Sequence, residues 1–229
     1  VSGTDLLLTD GTAGDTVDLK NEYSYYFWTG TGTYGYYNQI EKLVFGDGAT
    51  MNLSGGAPYI GSAGGSVTGS TGNDVLIANG GTETLSGNGG ADTFYAGSGA
   101  DTLSGGTGND TYIFYRGEGA AVANDSGGTN TLIFGTGIAD DQLWFTQQSN
   151  DLLISVIGTS QSVLVKNWYA TGTPPADAIY AGDGHYLQSA QVANLVSAMA
   201  SYSPPSSGQT TLPSGYATAL EPTIAANWH

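Results

Sequence analysis

The stretch that decides the fold is residues 69–113, which divides without a gap into five nonapeptides: GSTGNDVLI, ANGGTETLS, GNGGADTFY, AGSGADTLS and GGTGNDTYI. Three positions of the nonapeptide keep their character. The fourth is always glycine, at Gly72, Gly81, Gly90, Gly99 and Gly108. The sixth is always a carboxylate, at Asp74, Glu83, Asp92, Asp101 and Asp110. The eighth is always apolar or aromatic, at Leu76, Leu85, Phe94, Leu103 and Tyr112. A fixed internal period indicates a repeat architecture in which each unit packs on its neighbours.

Each nonapeptide is typical of a turn followed by a short strand. Glycine permits the positive φ angles that such a turn needs, and the apolar eighth residue points inward from the strand. If successive strands lie on opposite sides of a flattened coil, two nonapeptides complete one winding. The carboxylates then stack in two columns: Asp74, Asp92 and Asp110 along one edge, and Glu83 and Asp101 along the other.

These carboxylate columns predict a need for a cation. The repeat stretch contains five acidic side chains and no basic one, so the stacked groups repel each other. The five apolar side chains bury little surface compared with the entropy lost by ordering a glycine-rich segment. Carboxylate and carbonyl oxygens, without histidine or cysteine nearby, are ligands that suit calcium better than zinc or copper. The sequence therefore predicts a fold that depends on calcium.

The repeat resembles the glycine-rich nonapeptide G-G-x-G-x-D-x-U-x of the repeats-in-toxin (RTX) family. The resemblance implies a parallel β-roll with calcium ions between its turns. It also implies the ligands: one turn supplies the carbonyls of positions two and four and its aspartate. The turn two units later supplies the carbonyls of positions one and three and its own aspartate.

Transferred to this chain, the resemblance implies three sites. The first consists of Ser70, Gly72, Asp74, Gly87, Gly89 and Asp92. The second consists of Asn88, Gly90, Asp92, Gly105, Thr107 and Asp110. The third, on the other edge, consists of Asn79, Gly81, Glu83, Ala96, Ser98 and Asp101. Glu83 departs from the pattern because its side chain is one methylene longer, so we expect two or three ions, and the array ends are candidates for more.

The acidic pattern fades on both sides of the array. Before residue 69, Gly65 stands where the sixth position would fall. After residue 113, Ala121 takes the place of the repeat aspartate, and Asp125 is a candidate to complete a terminal site with the turn of Asp110.

Segments on both sides of the repeat predict β structure. Apolar or alternating runs predict antiparallel strands, and Gly182-Asp183-Gly184 predicts a hairpin within 177–187. The strand candidates are Thr131–Phe134, Leu143–Thr146, Leu152–Val156 and Ser162–Trp168. These residues resemble the block found after RTX arrays, and the N-terminal stretch 3–56, from GTDLLLTD to ATMNLSGG, resembles the end of a comparable block upstream. A block on each side would cover the open edges of the roll.

The C-terminal segment 189–229 has a helical pattern. Ser189 is a candidate N-cap, and an apolar stripe of Val192, Leu195, Val196 and Met199 follows it. Pro204-Pro205 is expected to end this helix, and a second helix is expected after Ser214 with a kink near Pro222. The tail resembles the uncleaved C-terminal export signal of type I secreted proteins; the alternative is a helix that docks on the β domain.

The sequence thus predicts an all-β protein: a parallel β-roll with antiparallel β capping segments and a short helical tail. The predicted segments are an N-terminal β flank (1–60), the roll (61–125, with core repeats 69–113), a C-terminal antiparallel flank (126–188) and the tail (189–229).

Composition excludes several functions for the 229 residues. Twenty acidic residues against four basic ones give a net charge of −16, so the basic face of a nucleic-acid-binding protein cannot form. No apolar run is long enough to span a membrane, and the lack of cysteine excludes a disulfide scaffold. HExxH, GxSxG and Walker motifs do not occur, so no enzyme activity is predicted. His185 is interpreted as a surface residue rather than a ligand.

The favoured function is calcium-dependent folding and export at the C-terminus of a larger bacterial protein that leaves through a type I secretion system. Its location would be outside the cell or on the cell surface. The alternative is an adhesin or surface-layer module that binds a surface glycan through the Tyr- and Trp-rich residues 23–37. Those aromatic residues also fit a hairpin that packs its rings across strands.

Overall fold

The computed structural model describes residues 59–61, 64–170 and 174–229 in full, and of residues 1–58 only four strands. The chain forms two compact units, Val1–Ala57 and Pro58–His229. In the first unit, β1 (Leu6–Leu8) pairs antiparallel with β2 (Val17–Leu19), and β3 (Lys42–Val44) pairs antiparallel with β4 (Thr50–Asn52). The aromatic segment 23–37 lies outside the described residues, so its binding role stays a prediction.

The second unit is a flattened coil with a seven-stranded sheet on each side. The first sheet contains, in spatial order, β14 (Leu143–Gln148), β15 (Asp151–Val156), β16 (Ser162–Val165), β12 (Ala120–Asn124), β10 (Thr102–Thr107), β8 (Thr84–Gly89) and β6 (Ser66–Thr68). The second contains β18 (Tyr186–Gln188), β17 (Ala178–Tyr180), β13 (Thr131–Phe134), β11 (Thr111–Phe114), β9 (Thr93–Tyr95), β7 (Val75–Ile77) and β5 (Tyr59–Ile60). From β5 to β13, successive strands alternate between the two sheets, so the predicted parallel β-roll is confirmed.

Each repeat winding is two nonapeptides long, as the sequence predicts. In β7 and β9, Leu76 lies opposite Phe94, and in β8 and β10, Leu85 lies opposite Leu103. All five eighth-position side chains are at most 1% exposed. The rings of Phe94 and Tyr112 stack with their centroids 5.1 Å apart. The apolar column between the sheets is therefore the core of the roll.

The winding after the last repeat is longer. Thr102 pairs with Val122 and Thr111 pairs with Thr131, so this winding exceeds those of the repeats by two positions. This register places Ala121 beside Asp101, and it confirms that alanine takes the place of a repeat aspartate. Gly65 likewise lies beside Glu83, because the Thr84 N–H donates to its carbonyl at 3.0 Å.

The parallel stack extends further than the sequence predicted. Strand β13, expected to be antiparallel, pairs in parallel with β11. Strands β16 and β17 then pair in parallel with β12 and β13. A strand with one buried face alternates in the same way whether its neighbour is parallel or antiparallel, so periodicity could not separate the two. Antiparallel pairing is observed where β15 meets β14 and β16, and in the β17–β18 hairpin that was predicted around residues 182–184.

Two helices and a 3₁₀ turn (Asp140–Gln142) complete the described part of the second unit. Helix α1 (Ser189–Met199) starts at the predicted place, but its N-cap is Gln188, whose backbone N–H donates to Gln191 Oε1. It ends before Pro204 is reached, so the proline pair does not set its end. Helix α2 (Ser214–Asn227) continues through Pro222. No helix among the described residues has both the length and the apolar character needed to cross a bilayer.

The tail packs on the β structure. Helix α1 buries Val192, Leu195 and Met199, while Val196 is only partly buried. The rings of Trp228 and Phe145 lie 6.3 Å apart. The backbone groups of His229 and Tyr186 exchange two hydrogen bonds of 3.0 Å. The docked arrangement is thus the one present in the folded chain, and the export-signal interpretation stays a prediction.

We predict that Leu85→Ala destabilises the calcium-bound roll by about 2–5 kcal/mol, because it leaves a cavity in the apolar column. The matched control is Thr84→Ala, since Thr84 is the exposed neighbour of Leu85 on β8, and its effect should stay within about 0.5 kcal/mol. Urea unfolding in saturating calcium measures both. Equal effects of the two variants would show that the eighth position does not support the core.

Candidate metal centre

A ladder of hydrogen bonds fixes the two carboxylate columns. Three of the five sixth-position residues, Asp74, Glu83 and Asp92, donate their backbone N–H to the carboxylate 18 residues later. The donor–acceptor distances are 2.8 Å from Asp74 to Asp92 Oδ1, 2.8 Å from Asp92 to Asp110 Oδ1, and 2.9 Å from Glu83 to Asp101 Oδ1. One oxygen of each accepting carboxylate is thus held against the turn before it, and the columns predicted from spacing exist.

The second oxygen of some of these carboxylates is buried without a partner. Asp92 Oδ2, Asp110 Oδ2 and Glu83 Oε2 accept no hydrogen bond from any described residue. The three side chains are at most 1% exposed. An unpaired anionic oxygen at such depth is costly. These oxygens therefore need either a cation or a proton.

The backbone beside two of these oxygens is glycine, and its lack of a side chain lets them lie close to it. A Cβ on Gly87 would overlap Asp92 Oδ2 and would lie 2.8 Å from the carbonyl oxygen of Gly105. A Cβ on Gly105 would in turn overlap Asp110 Oδ2. Glycine at the first position thus lets a carboxylate and a carbonyl from the next turn converge. This donor set fits a hard cation such as calcium.

The fourth position requires glycine for a different reason, namely the backbone angles and the close stacking of the turns. Gly90 has a φ of +102° and Gly108 a φ of +139°, which L-residues rarely adopt. Their Cα atoms also lie so close to the backbones of Gly72 and Gly90 that a Cβ would overlap them. The turns can stack at this distance only without side chains.

The structure brings the residues of the first predicted site together. The stacking of its two turns is held by the Gly69 N–H, which donates to the Ser86 carbonyl at 2.8 Å, and by Asn88 Nδ2, which donates to the Gly69 carbonyl at 2.9 Å. Asp74 Oδ2 already accepts the Ser70 N–H at 2.6 Å and the Ser70 hydroxyl at 2.9 Å. A cation here would compete with those two donors.

The second predicted site has the best-formed donor set. Asn88 and Gly89 lie opposite Gly106 and Thr107 in the β8–β10 pair. The Thr107 carbonyl accepts the Gly90 N–H at 3.0 Å, which leaves its second lone pair for a cation. Asp92 Oδ2, which lies with the Gly105 carbonyl beside the Gly87 backbone, is unpartnered among the described residues.

The third predicted site lies on the other edge and is less complete. Gly81 and Gly99 form a parallel bridge there. Asp101 Oδ2 accepts the Gly97 N–H at 3.1 Å, and the Gly64 N–H donates to Glu83 Oε1 at 2.9 Å. The extra methylene of Glu83 thus lets it reach the preceding turn, where Gly65 supplies no carboxylate. Among the side-chain atoms of this third site, all within the described part of the chain, only Glu83 Oε2 is buried without a partner.

Burial changes the acidity of these groups. Burial, together with the negative charges of Asp125 and Asp92, raises the pKa of Asp110 to about 7. It also raises the pKa of Asp92, with a contribution from the charge of Asp74. The pKa of Glu83 is raised by burial and by its contact with Asp101. Without a metal these carboxyls retain protons more readily than exposed ones, and a divalent cation would displace those protons.

The comparison with known families agrees with this geometry. Residues 60–93 and 77–112 match the family of RTX calcium-binding nonapeptide repeats, with four copies. The chain contains an RTX haemolysin-type calcium-binding repeat region. RTX repeats bind calcium, and proteins that carry them are typically secreted. The repeats themselves are typically non-catalytic.

Sequence reasoning missed one polar cluster. His185 Nδ1 lies 3.2 Å from Asp140 Oδ2 and 3.3 Å from Asp183 Oδ2. The Asp140 N–H also donates to Asp183 Oδ2 at 3.1 Å. The His185 side chain is 54% exposed, as expected for a surface residue. Its contacts join the 3₁₀ turn to the β17–β18 hairpin, two loops that are 43 residues apart in sequence.

Sequence reasoning also missed Glu118, in the winding that follows the repeats. Its Oε2 is buried and has no partner among the described residues. Burial raises the pKa of Glu118 well above its ordinary value, and the charge of Asp101 adds to the effect. Glu118 lies outside the sixth position of the repeat, so the nonapeptide pattern gave no signal for it.

We predict that Asp92→Asn weakens calcium binding roughly tenfold to a hundredfold, because it removes a charged ligand shared by two predicted sites. Without calcium, the same change should stabilise the roll, because it removes repulsion in the column. Calorimetric calcium titration and thermal unfolding in chelator measure the two effects. The matched control is Asp177→Asn, which removes an exposed carboxylate outside the columns and should change neither. Unchanged calcium affinity in Asp92→Asn would contradict the assignment.

We predict that acidification stabilises the metal-free roll. The pKa of Asp110 rises from 3.8 to about 7 on folding, so the folded chain binds a proton that the unfolded chain releases above about pH 4. This contribution is therefore complete below about pH 4 and is lost as the pH rises through about 7. Urea unfolding in chelator should show higher stability at pH 5 than at pH 8.

The variant Asp110→Asn separates this effect from the general repulsion of an acidic chain. It should reduce the difference in stability between pH 5 and pH 8. In saturating calcium the order should reverse, because the cation requires deprotonated carboxylates. Equal stability at both pH values in chelator would contradict the prediction.

Proposed function

We propose that this protein is a calcium-dependent folding and stabilising module at the C-terminus of a larger bacterial protein exported by type I secretion. Two or three calcium ions would bind at the three sites set out above, with the site between Asp92 and Asp110 as the best formed. The observation that supports this most is the buried oxygen Asp92 Oδ2, which lies beside the Gly87 backbone and the Gly105 carbonyl and has no partner among the described residues.

Calcium concentration would control whether the roll folds. In a cytosol poor in calcium, buried carboxylates that repel each other oppose folding and keep the chain in a form that can pass a secretion channel. Outside the cell, millimolar calcium fills even weak sites. Each site with calcium at roughly 100 times its dissociation constant adds about 2.7 kcal/mol of stability. Several sites together would make folding outside the cell effectively irreversible.

The arrangement of the C-terminal half supports folding from that end. Strands β16 and β17 continue the parallel stack, and their inward side chains Val163, Val165 and Ile179 are at most 2% exposed. These windings have an apolar core without acidic columns, and the docked tail covers part of them. They would form first and present β12 and β13 as templates for the repeats.

The tail itself, residues 189–229, is proposed as the export signal. Glu221 is the only charged side chain between residue 186 and residue 228. In the folded chain, Val192 and Leu195 of α1 are buried. A signal that must be read by the secretion machinery would therefore be read before the chain folds, which agrees with an unfolded cytosolic form.

The test is to follow folding of the full chain by circular dichroism and hydrodynamic radius, first in chelator and then in millimolar calcium. We expect a lower β content and a larger radius in chelator than in calcium, because the repeats gain β structure and compact when calcium is added. Magnesium at the same concentration is the control, because its smaller ion demands a stricter geometry and gives up water reluctantly. The same β content and radius in chelator and in calcium would overturn the proposal.

The export step needs a separate measurement. Secretion of the full chain by cells with a type I system should stop when residues 189–229 are deleted. It should continue for Asp92→Asn, whose signal is intact. Unchanged secretion after the deletion would overturn the role of the tail without affecting the calcium sites.

A further inference from the structure

The carboxylate column changes its chemistry in the lengthened winding that follows the repeats. The Asp110 N–H donates to Asn130 Oδ1 at 2.7 Å, as the Asp92 N–H does to Asp110 Oδ1. Asn130 therefore takes the place of the next repeat aspartate and continues the ladder. Its Nδ2 donates to the Pro175 carbonyl at 2.8 Å. Asn130 thus provides no second anionic oxygen, while Asp110 Oδ2 stays buried without a partner among the described residues.

A different residue brings a carboxylate to this place. The β10–β12 register pairs Ser104 with Asn124, so Asp125 stands beside Gly105 in the next winding. Its Oδ1 accepts the Gly127 N–H at 2.8 Å. A Cβ on Gly105 would overlap both Asp125 Oδ2 and Asp110 Oδ2. The two oxygens therefore face the same small space, one from each winding.

Tyr112 holds Asp125 in position. Among the five eighth-position residues, only this one has a polar end. Its hydroxyl donates to Asp125 Oδ2 at 2.6 Å and accepts the Gly105 N–H at 2.9 Å. The ring is buried and stacks on Phe94. Because the ring is fixed by the core, the hydroxyl fixes the carboxylate.

We propose that Asp110 and Asp125 bind a further divalent cation at the C-terminal end of the column. The ligands are carboxylate oxygens beside the Gly105 backbone, so the ion is hard and, under the proposed function on which this inference rests, calcium. Asp125 occupies the first position of its winding and not the sixth, so the nonapeptide rule does not supply this site. Here the ion would join the last repeat winding to the apolar windings that follow it.

A proton shared between the two carboxyls is the competing way to satisfy Asp110 Oδ2. A proton would leave the calcium stoichiometry unchanged when Asp125 loses its charge. A cation would not. The number of bound ions therefore decides between the two.

The experiment is a calcium titration of the full chain by calorimetry, with bound calcium counted after equilibrium dialysis. Asp125→Asn should lower the number of bound ions by one and leave the others in place, because the amide oxygen can still accept the Tyr112 hydroxyl. Asp177→Asn is the matched control and should bind as many ions as the wild type. An unchanged stoichiometry in Asp125→Asn would overturn the site.

A second variant covers the case in which Asp125→Asn does not fold. Tyr112→Phe keeps both carboxylates and the aromatic core, and removes only the hydroxyl that positions Asp125. It should weaken the binding of one ion by roughly tenfold to a hundredfold, because the lost hydrogen bond is made to a charged group, and leave the other ions unchanged. Unchanged affinity for every ion would overturn the role of Tyr112 and, with an unfolded Asp125→Asn, the site as well.

The titration also distinguishes a failure of the proposed function from a failure of the terminal site alone. If the wild-type chain binds no calcium, both proposals fall. If the wild type binds calcium and folds with it, but Asp125→Asn binds the same number of ions, only the terminal site falls.

Discussion

The whole roll depends on the different roles of the two oxygens in a sixth-position carboxylate. In Asp92 and Asp110, one oxygen accepts a backbone N–H from the preceding winding, and the other is buried without a partner among the described residues. The hydrogen bond to the first oxygen aligns the turns, and the unpartnered second oxygen leaves a negative charge that nothing compensates. The same side chain thus specifies the stack and opposes it. A bound cation would turn the opposing part into an attraction between windings.

The described part of the second unit combines two ways of stabilising a coil. Residues 69–113 supply acidic turns with one buried side chain at the eighth position of each unit, whereas the later windings are stabilised by apolar contacts, the β14–β15 hairpin and two helices. The lengthened winding lies between them, with Ala121 on one edge and Asn130 on the other in place of aspartate. Asp125 and Glu118 belong to this same winding. The change from one kind of stabilisation to the other is therefore made within a single winding.

Much of this architecture could be predicted from the sequence because the nonapeptide has a strict period. That period gave the two columns, the register of two units per winding and the burial of Leu76, Leu85 and Leu103, all of which the structure confirms. The parallel pairing of β13, β16 and β17 could not be predicted, because one-sided burial gives the same alternation in both kinds of sheet. The contacts of Asp125 with Tyr112, and of His185 with Asp140, depend on residues outside the repeat that tertiary packing brings together. The predicted ligand sets follow from the family pattern, and the structure adds which oxygens are already engaged.

Asp92 belongs to two neighbouring predicted sites, so the ions in its column would not act independently. An ion that fixes the Asp92 carboxylate for one site also orders a ligand of the next, and the entropy of ordering that side chain is lost only once. Occupancy would then rise cooperatively along the column. A linear array of this kind responds to a threshold of free calcium rather than in proportion to it, and the sharpness of that threshold grows with the number of windings that share carboxylates.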